Sequence, residues 1–175
     1  MGLLCKIVGG VFVMGATGYL AFSVNQTFEQ RKQELRKLYS ILLQLKSEIQ
    51  YMCNPLPESF EKLAQGANDP FASWLYSIAG KLDEKQMITF EVAWVEGLEM
   101  LSLNSSLNKG DIDPLYELKD KLGSGDVTAQ LRAIDYALLH IEGCRTILEG
   151  ELEQKKKVTF TLSLFCGAMT LLLLL

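Results

Sequence analysis

The sequence predicts an all-α protein, an antiparallel helical bundle with two long membrane-continuous helices and about four shorter helices, flanked by two transmembrane helices. Three observations predict this class. Hydrophobic residues make up 49% of the 175-residue chain, and two uncharged runs lie near its ends. Segments between these runs repeat apolar residues in steps of three and four, which is typical of paired helices. No segment shows the sustained alternation of a strand.

The uncharged runs, residues 7–24 and 158–175, predict an N-terminal transmembrane helix over residues 1–24 and a C-terminal one over 158–175. Each run would form about 27 Å of helix, close to the hydrocarbon thickness of about 30 Å. A cleaved signal peptide is the alternative for the first run, but its apolar stretch exceeds the usual core of about 7–15 residues. The sequence therefore favours two membrane spans around a helical domain, residues 25–157.

Basic residues cluster on the inner side of both runs, at Arg31, Lys32, Arg36 and Lys37 and again at residues 155–157. The positive-inside rule then places the central domain in the cytoplasm and both termini across the membrane. The central domain carries all 21 acidic residues and all but one of the 17 lysines and arginines. This acidic balance opposes a nucleic-acid partner, which would require a basic face.

The first long helix is predicted over residues 25–53, with a heptad seam of Leu35, Leu38, Leu42, Leu45, Ile49 and Met52. Pro55 and Pro57 end this helix, because proline disrupts a helix interior. Pro57 fits the first turn of a short second helix that stops at Gly66.

Two Asp-Pro pairs, at residues 69–70 and 113–114, predict the starts of two further short helices, with aspartate as the N-cap and proline in the first turn. Their apolar faces are Phe71, Trp74, Leu75, Ile78 and Leu82 in the first, and Leu115, Leu118 and Leu122 in the second. Between them, a helix is predicted over residues 89–101, followed by a polar loop over 102–111.

The last soluble helix is predicted over residues 127–157, with a seam of Val127, Leu131, Ile134, Leu138, Ile141, Leu148 and Leu152 that is interrupted only at Arg145. It would be about 46 Å long, against about 43 Å for the first helix. Two helices of matched length with heptad seams should pair antiparallel as a stalk. The shorter helices would pack on this stalk or cap its far end.

The stretch LGSGDVTAQ, residues 122–130, admits two interpretations. Its glycines could cradle a phosphate, but such a loop follows a strand and continues with a third glycine or with Gly-Lys-Ser/Thr. Here a helix precedes the loop and neither continuation occurs. We therefore expect a hinge in which Gly123 ends one helix in a left-handed turn and Asp126 caps the next.

Catalytic chemistry is not indicated by any motif. The single histidine, His140, is accompanied by no C-x-x-C or H-x-x-x-H spacing, so a surface or half-buried position is a better interpretation than a metal ligand. No nucleotide-binding, hydrolase or metalloprotease signature occurs. The sequence predicts a protein that is not an enzyme and takes no cofactor. Trp74 and Trp94 fit core positions, although aromatic residues also anchor protein interfaces.

Five segments occur in a characteristic order: RKQELRKLYSILLQLKSEIQY, NPLPESFEKLA, VAWVEGL, LKDKLGSGDVTAQLRAIDYAL and the apolar C-terminus. In this order they resemble the stage III sporulation protein AB family of endospore-forming bacteria. The resemblance rests most specifically on Pro55-Leu56-Pro57-Glu58 with Phe60, on Trp94, and on Leu122-Gly123 with Asp126 and Gln130. From these positions we take the following as a candidate partner surface or structural motif: Pro55, Pro57, Glu58, Trp94 and Asp126.

The resemblance implies a mother-cell membrane protein whose cytoplasmic helical domain is similar to that of the inner-membrane platform proteins of type II secretion and type IV pilus machines. It also implies a non-enzymatic scaffold in a channel-like complex between mother cell and forespore. The implied partners are a cytosolic secretion-type ATPase, stage III sporulation protein AA, other stage III sporulation membrane proteins, and further copies of the chain in a homo-oligomer. The short-helix cap, residues 55–126, is expected to meet the ATPase because it projects furthest from the membrane.

A second interpretation is a membrane-anchored signalling or adaptor stalk unrelated to secretion. Paired heptad helices would suit such a stalk equally well. It would, however, require an input domain beyond the membrane, and the tails predicted there are only a few residues long.

Overall fold

A computed structural model describes residues 26–52, 54–83 and 88–174, and every regular element in these ranges is helical. Helix α1 covers residues 26–47 and continues as a π-helical turn, Glu48–Met52. The remaining helices are α2 (Leu56–Gln65), α3 (Phe71–Asp83), α4 (Phe90–Asn104), α5 (Lys109–Tyr116), α6 (Lys119–Leu122) and α7 (Val127–Leu174). The predicted all-α class is confirmed.

The predicted N-terminal transmembrane helix, residues 1–24, lies outside the described residues. The backbone of α7 is helical without interruption from Val127 to Leu174. Within the described ranges, no helix has both the length and the apolar character that crossing a membrane requires. The described residues fall into two compact units, of which one, Arg31–Thr146, is the helical bundle.

Helices α1 and α7 run antiparallel within the bundle. Lys46 Nζ of α1 lies 2.5 Å from Asp135 Oδ1 of α7. The guanidinium of Arg145 on α7 lies 5.6 Å from the ring centroid of Tyr39 on α1. Later residues of α1 therefore meet earlier residues of α7, as the matched seams predict. The buried seam residues are Leu35, Leu38, Leu42, Leu45, Ile49, Ile134, Leu138 and Ile141.

Val127 departs from the predicted seam, because 47% of its surface is exposed. It is the first residue of α7, and its neighbours Asp126 and Thr128 are exposed as well. The predicted heptad seam thus includes one residue at the start of α7, Val127, that is not packed in the bundle.

Two predicted helix starts are displaced. Helix α3 begins at Phe71, and the Asp69 carboxylate accepts hydrogen bonds from the backbone N–H and hydroxyl of Ser73. Helix α5 begins at Lys109, so the predicted start at Asp113 and Pro114 is wrong and Pro114 lies inside the helix. As α4 also extends to Asn104, the predicted loop over 102–111 shrinks to a short connection.

A capping box explains the early start of α5. Asn108 Oδ1 accepts a hydrogen bond from Asp111 N, and Asp111 Oδ2 accepts one from Asn108 N, both at 2.9 Å. Two backbone N–H groups at the helix start are thereby satisfied, one by each side chain.

The hinge between α6 and α7 differs from prediction in one respect. Gly123 ends α6 with φ −76°, so the predicted left-handed turn is wrong. A Cβ at this position would lie 3.2 Å from Phe90 Cβ, so glycine instead permits close approach of the end of α6 to the start of α4. Asp126 caps α7 as predicted, since its Oδ1 accepts hydrogen bonds from the N–H groups of Thr128 and Ala129 at 2.9 and 3.2 Å.

The short helices share an aromatic core. Helix α4 packs against α3, α5 and α6, and α3 packs against α2. The Trp94 ring of α4 lies at the centre, with the centroids of Trp74, Phe90 and Phe60 at 5.4, 5.5 and 5.9 Å. Trp74 and Trp94 are 1% and 0% exposed, so both serve the core as their helical spacing predicts.

Gly97 on α4 allows α3 to approach closely, which gives a testable prediction. A Cβ there would lie 2.9 Å from Ile78 Cγ1 and 3.2 Å from Trp74 Cδ1. Overpacking costs about 1–3 kcal/mol, whereas alanine gains about 1 kcal/mol of helix propensity over glycine. We expect Gly97→Ala to lower the free energy of unfolding by about 1 kcal/mol in urea titrations followed by tryptophan fluorescence.

Gly80 on α3 provides the matched control, because a Cβ there meets no atom within 4 Å. Gly80→Ala should gain stability by up to about 1 kcal/mol from helix propensity alone. Equal gains from the two substitutions would show that α3 and α4 are not closely packed at Gly97.

Candidate functional site

A surface groove between α2 and α3 combines sequence-predicted residues with exposed polar groups. Its volume is about 210 Å³, and it is lined by Pro57, Glu58, Glu61, Tyr76, Ala79 and Gly80. These six residues are called the α2–α3 groove below. Glu58, Glu61 and Gly80 are exposed, and Tyr76 is 46% exposed, so the groove is open to solvent.

The local sequence of α2 places Pro57 and Glu58 in the lining of the groove. Pro55 occupies the N-cap position of α2, and its carbonyl accepts a hydrogen bond from Ser59 N at 3.1 Å. Pro57 then lies in the first helical turn, where its missing N–H costs nothing. Phe60 and Leu63 are buried on the inner face of α2, so Glu58 and Glu61 are directed to the outer face.

Two lysines, Lys62 and Lys81, directly follow groove residues in the sequence, and both form ion pairs with residues outside the groove. Lys62 Nζ lies 2.6 Å from Glu48 Oε1 at the end of α1. Lys81 Nζ lies 2.5 Å from Glu96 Oε2 on α4. Glu58 and Glu61 form no ion pair with any of the described residues. The groove thus carries two carboxylates without a neutralising cation from the described part of the chain.

The structure brings together only part of the predicted residue set. Pro57 and Glu58 line the groove, and Pro55 is exposed directly before them. Trp94 lies in the core, where its Nε1 donates a hydrogen bond to the Leu115 carbonyl at 2.7 Å. Asp126 caps α7. Trp94 and Asp126 are therefore structural residues, and Pro57 and Glu58 belong to a surface.

Sequence reasoning missed the other half of the groove. Tyr76, Ala79 and Gly80 come from α3 and follow no recognisable motif. The only available signal is the position of Tyr76 and Gly80 on the face of α3 opposite Trp74 and Ile78, which marks them as exposed.

A second polar cluster, unforeseen from the sequence, connects α1 to the start of α5. Asp111 is 0% exposed and accepts two hydrogen bonds from Arg31, from Nε at 2.7 Å and from Nη2 at 2.9 Å. Its carboxylate also completes the capping box with Asn108. The spacing Asn108-x-x-Asp111 was the available signal for the capping box. No local pattern signals a partner 80 positions away.

Glu34, one turn after Arg31, reinforces this connection. Its Oε2 accepts a hydrogen bond from Ser106 N at 2.6 Å. Burial raises the pKa of the Glu34 carboxyl, and the hydrogen bonds from Ser106 oppose that rise. Arg31 and Glu34 together fix the connection between α4 and α5 to α1.

His140 and Cys144 lie close to this cluster on α7. The distance from Cys144 Sγ to His140 Nδ1 is 3.6 Å, and Sγ also approaches the Gly110 carbonyl at 3.9 Å. Burial and the nearby Asp111 carboxylate raise the pKa of the Cys144 thiol, with Arg31 acting in the opposite sense. Because a nucleophilic cysteine requires a lowered pKa, this pair does not have the electrostatics of a catalytic dyad.

Metal coordination finds no support in the described ranges, where no group of three or more His, Cys, Asp and Glu side chains converges. Among the described residues, His140 lies near Cys144, one helical turn further along, but the two do not belong to a group of three or more possible metal ligands. The chemistry that the described surface offers is recognition by carboxylates and an aromatic ring.

The fold and the groove together define an all-α bundle protein with a concave acidic surface on its short helices. A sequence profile of the family described as stage III sporulation protein AB matches residues 6–175. The chain belongs to this family.

Two relatives agree with this assignment. Stage III sporulation protein AB of Bacillus subtilis (strain 168) is 26% identical over 172 residues, which cover 98% of this chain and 100% of the relative. A solved structure of stage III sporulation protein AB superimposes with a TM-score of 0.65 at 26% identity, covering 71% of this chain and 97% of that one. The family is one of sporulation proteins, and membership supports a role in sporulation.

Proposed function

We propose that this protein is a non-enzymatic platform subunit of a secretion-like complex between mother cell and forespore. In this proposal the chain lies in the mother-cell membrane around the forespore, with two spans and its helical domain in the cytoplasm. The domain binds a cytosolic secretion-type ATPase, stage III sporulation protein AA, and other stage III sporulation membrane proteins. Further copies of the chain are candidate neighbours in the assembly.

Family membership over residues 6–175 is the observation that carries the proposal. The uncharged sequence runs at 7–24 and 158–175 support membrane attachment, and the basic residues beside them support a cytoplasmic domain. The tightly packed aromatic core of the short helices supports a rigid docking body, because its largest side chains are fixed by mutual contact. The exposed α2–α3 groove supplies a surface for a partner.

Co-purification from membranes of sporulating cells tests this proposal. With an affinity tag on the chain, we expect the ATPase to be recovered together with other stage III membrane proteins. Arg31→Ala provides a variant with a weakened bundle, because it removes a partner of the buried Asp111 carboxylate. We expect the amount of ATPase recovered with this variant to fall in parallel with its helical content. Recovery of the other membrane proteins without the ATPase would contradict the proposed partnership.

The proposed topology is tested separately by thiol accessibility in intact, non-sporulating cells that produce the chain, because their cell membrane separates the cytoplasm from the added reagent. Single cysteines placed beside Arg31 and Thr146, in a chain without its four native cysteines, should react only with a membrane-permeant reagent. Reaction with an impermeant reagent would place the domain on the other side of the membrane.

A further inference from the structure

We infer that the α2–α3 groove is a receptor for an arginine side chain presented by a partner protein. The inference deepens the proposed function and rests on it only for its biological use, since it specifies the chemistry of a contact on the docking body. The occupant is a guanidinium group held between the Glu58 and Glu61 carboxylates and the Tyr76 ring.

Charge complementarity favours a cation. Glu58 and Glu61 are three residues apart on the exposed face of α2, so their like charges repel one another in the free protein. The neighbouring Lys62 and Lys81 do not relieve this repulsion, because they form ion pairs with Glu48 and Glu96. A cation from a partner would remove the repulsion and supply the missing counter-charge.

The lining of the groove leaves room for a side chain from a partner. Ala79 and Gly80 on α3 carry little or no side chain, and a Cβ at Gly80 meets no atom within 4 Å, so the groove is open at this point. Tyr76 and Pro57 provide apolar and aromatic surface beside it. The methylene stem of an arginine could lie along this surface while its charged tip meets the carboxylates.

Arginine fits these features better than lysine does. A guanidinium is planar, forms paired hydrogen bonds with carboxylates and stacks on aromatic rings, whereas an ammonium is a compact, strongly hydrated point charge. Cations over a tyrosine ring gain additional attraction from the ring quadrupole. The combination of two carboxylates and one exposed tyrosine therefore selects the guanidinium.

Titration with a defined peptide tests the inference. The full chain, purified in nonionic detergent and labelled at alanine methyl groups, is titrated with a short Gly-Ser peptide carrying one central arginine, and the Ala79 methyl signal is followed by NMR. We expect a saturable shift with this peptide. The same peptide with citrulline, which is isosteric and uncharged, should give no shift, and the lysine peptide should bind more weakly. Equal binding of the arginine and citrulline peptides would overturn the inference.

Two groove variants locate the binding. The double substitution Glu58→Gln and Glu61→Gln should weaken arginine-peptide binding at least about tenfold, since charge-assisted hydrogen bonds are roughly twice as strong as neutral ones. Gly80→Leu should abolish binding by filling the groove, and it is accommodated because the space above Gly80 is empty. Binding that is unchanged in both variants would overturn the inference.

Matched controls lie outside the groove. Glu99→Gln removes an exposed carboxylate from α4, and Gly143→Leu adds a side chain at an open glycine of α7. Both should bind the arginine peptide like the parent chain, and thermal unfolding should show that all variants fold. A concentration-dependent Ala79 shift without peptide would instead identify a second copy of the chain as the occupant, and would overturn the inference.

The inference and the proposed function can fail separately. Peptide binding that requires Glu58 and Glu61, in a chain that never co-purifies with the ATPase, would overturn the proposed partnership and leave the groove chemistry supported. Absence of peptide binding in a chain that co-purifies with the ATPase would overturn the inference alone.

Discussion

Asp111→Ala is expected to lower the free energy of unfolding by about 3 kcal/mol, because it removes one partner of a buried charge pair. The Asp111 carboxylate is fully buried and accepts two hydrogen bonds from Arg31. The substitution removes both of these charge-assisted hydrogen bonds. It also removes the capping box that holds the first turn of α5, which alone is worth about 1 kcal/mol. Arg31 keeps some access to water, which holds the expected loss at the lower end of the range for buried pairs.

Urea unfolding followed by tryptophan fluorescence measures this loss, because Trp74 and Trp94 both lie in the affected bundle. Asp113→Ala is the matched control, since Asp113 is an exposed aspartate on the same helix. Its substitution should change stability by less than about 0.5 kcal/mol. Asp111→Asn should fall between the two, because the amide retains hydrogen-bonding capacity but lacks the charge. A loss for Asp111→Ala no larger than that for Asp113→Ala would contradict the buried pair.

The contrast between Asp111 and Asp113 also shows why the fold was only partly predictable. From the sequence, α5 is predicted to start at the Asp113-Pro114 pair, with residues 102–111 in a loop. The observed start uses Asn108 and Asp111, whose reciprocal hydrogen bonds are further stabilised by Arg31. Arg31 is distant in sequence, so this additional stabilisation of the observed start is tertiary and has no local signal.

Periodicity was reliable wherever a helix buries one face along its length. The seam residues of α1, such as Leu38 and Leu42, are fully buried, and so is Ile134 of α7. Periodicity says nothing about the outer faces. The family resemblance indicated Pro57 and Glu58. Neither the resemblance nor periodicity indicated Tyr76 and Gly80, which line the same groove because α2 and α3 pack together.

Glycine positions illustrate the same limit. The sequence interpretation assigned Gly123 a left-handed conformation, whereas its actual requirement is the proximity of Phe90. Gly97 likewise gives no sign in the sequence that it lies against Ile78 and Trp74. Local conformation can be inferred from neighbouring residues, but close approach between helices depends on the whole bundle.

Trp94→Ala is expected to cause the largest loss of stability, about 3–5 kcal/mol, because it leaves a cavity at the centre of the aromatic core. The Trp94 ring contacts those of Phe60, Trp74 and Phe90, which come from three helices. These neighbours are held by other contacts and can fill the space only partly. Far-UV circular dichroism in urea measures the loss, since the helical signal remains when one tryptophan is removed.

The hydrogen bond of Trp94 can be separated from its packing by comparing Trp94→Phe with Trp74→Phe. Both substitutions remove similar volume from the core, but Trp74 Nε1 has no hydrogen-bond partner among the described residues, whereas Trp94 Nε1 donates to the Leu115 carbonyl. That carbonyl also accepts from Leu118 N, so it is not left unsatisfied. Trp94→Phe should therefore be less stable than Trp74→Phe by at least about 1 kcal/mol, because only Trp94→Phe loses a hydrogen bond and only Trp74→Phe removes a buried N–H that lacks a partner among the described residues. Equal stabilities would contradict both the contribution of the bond from Trp94 to α5 and the cost of the unpartnered Trp74 N–H.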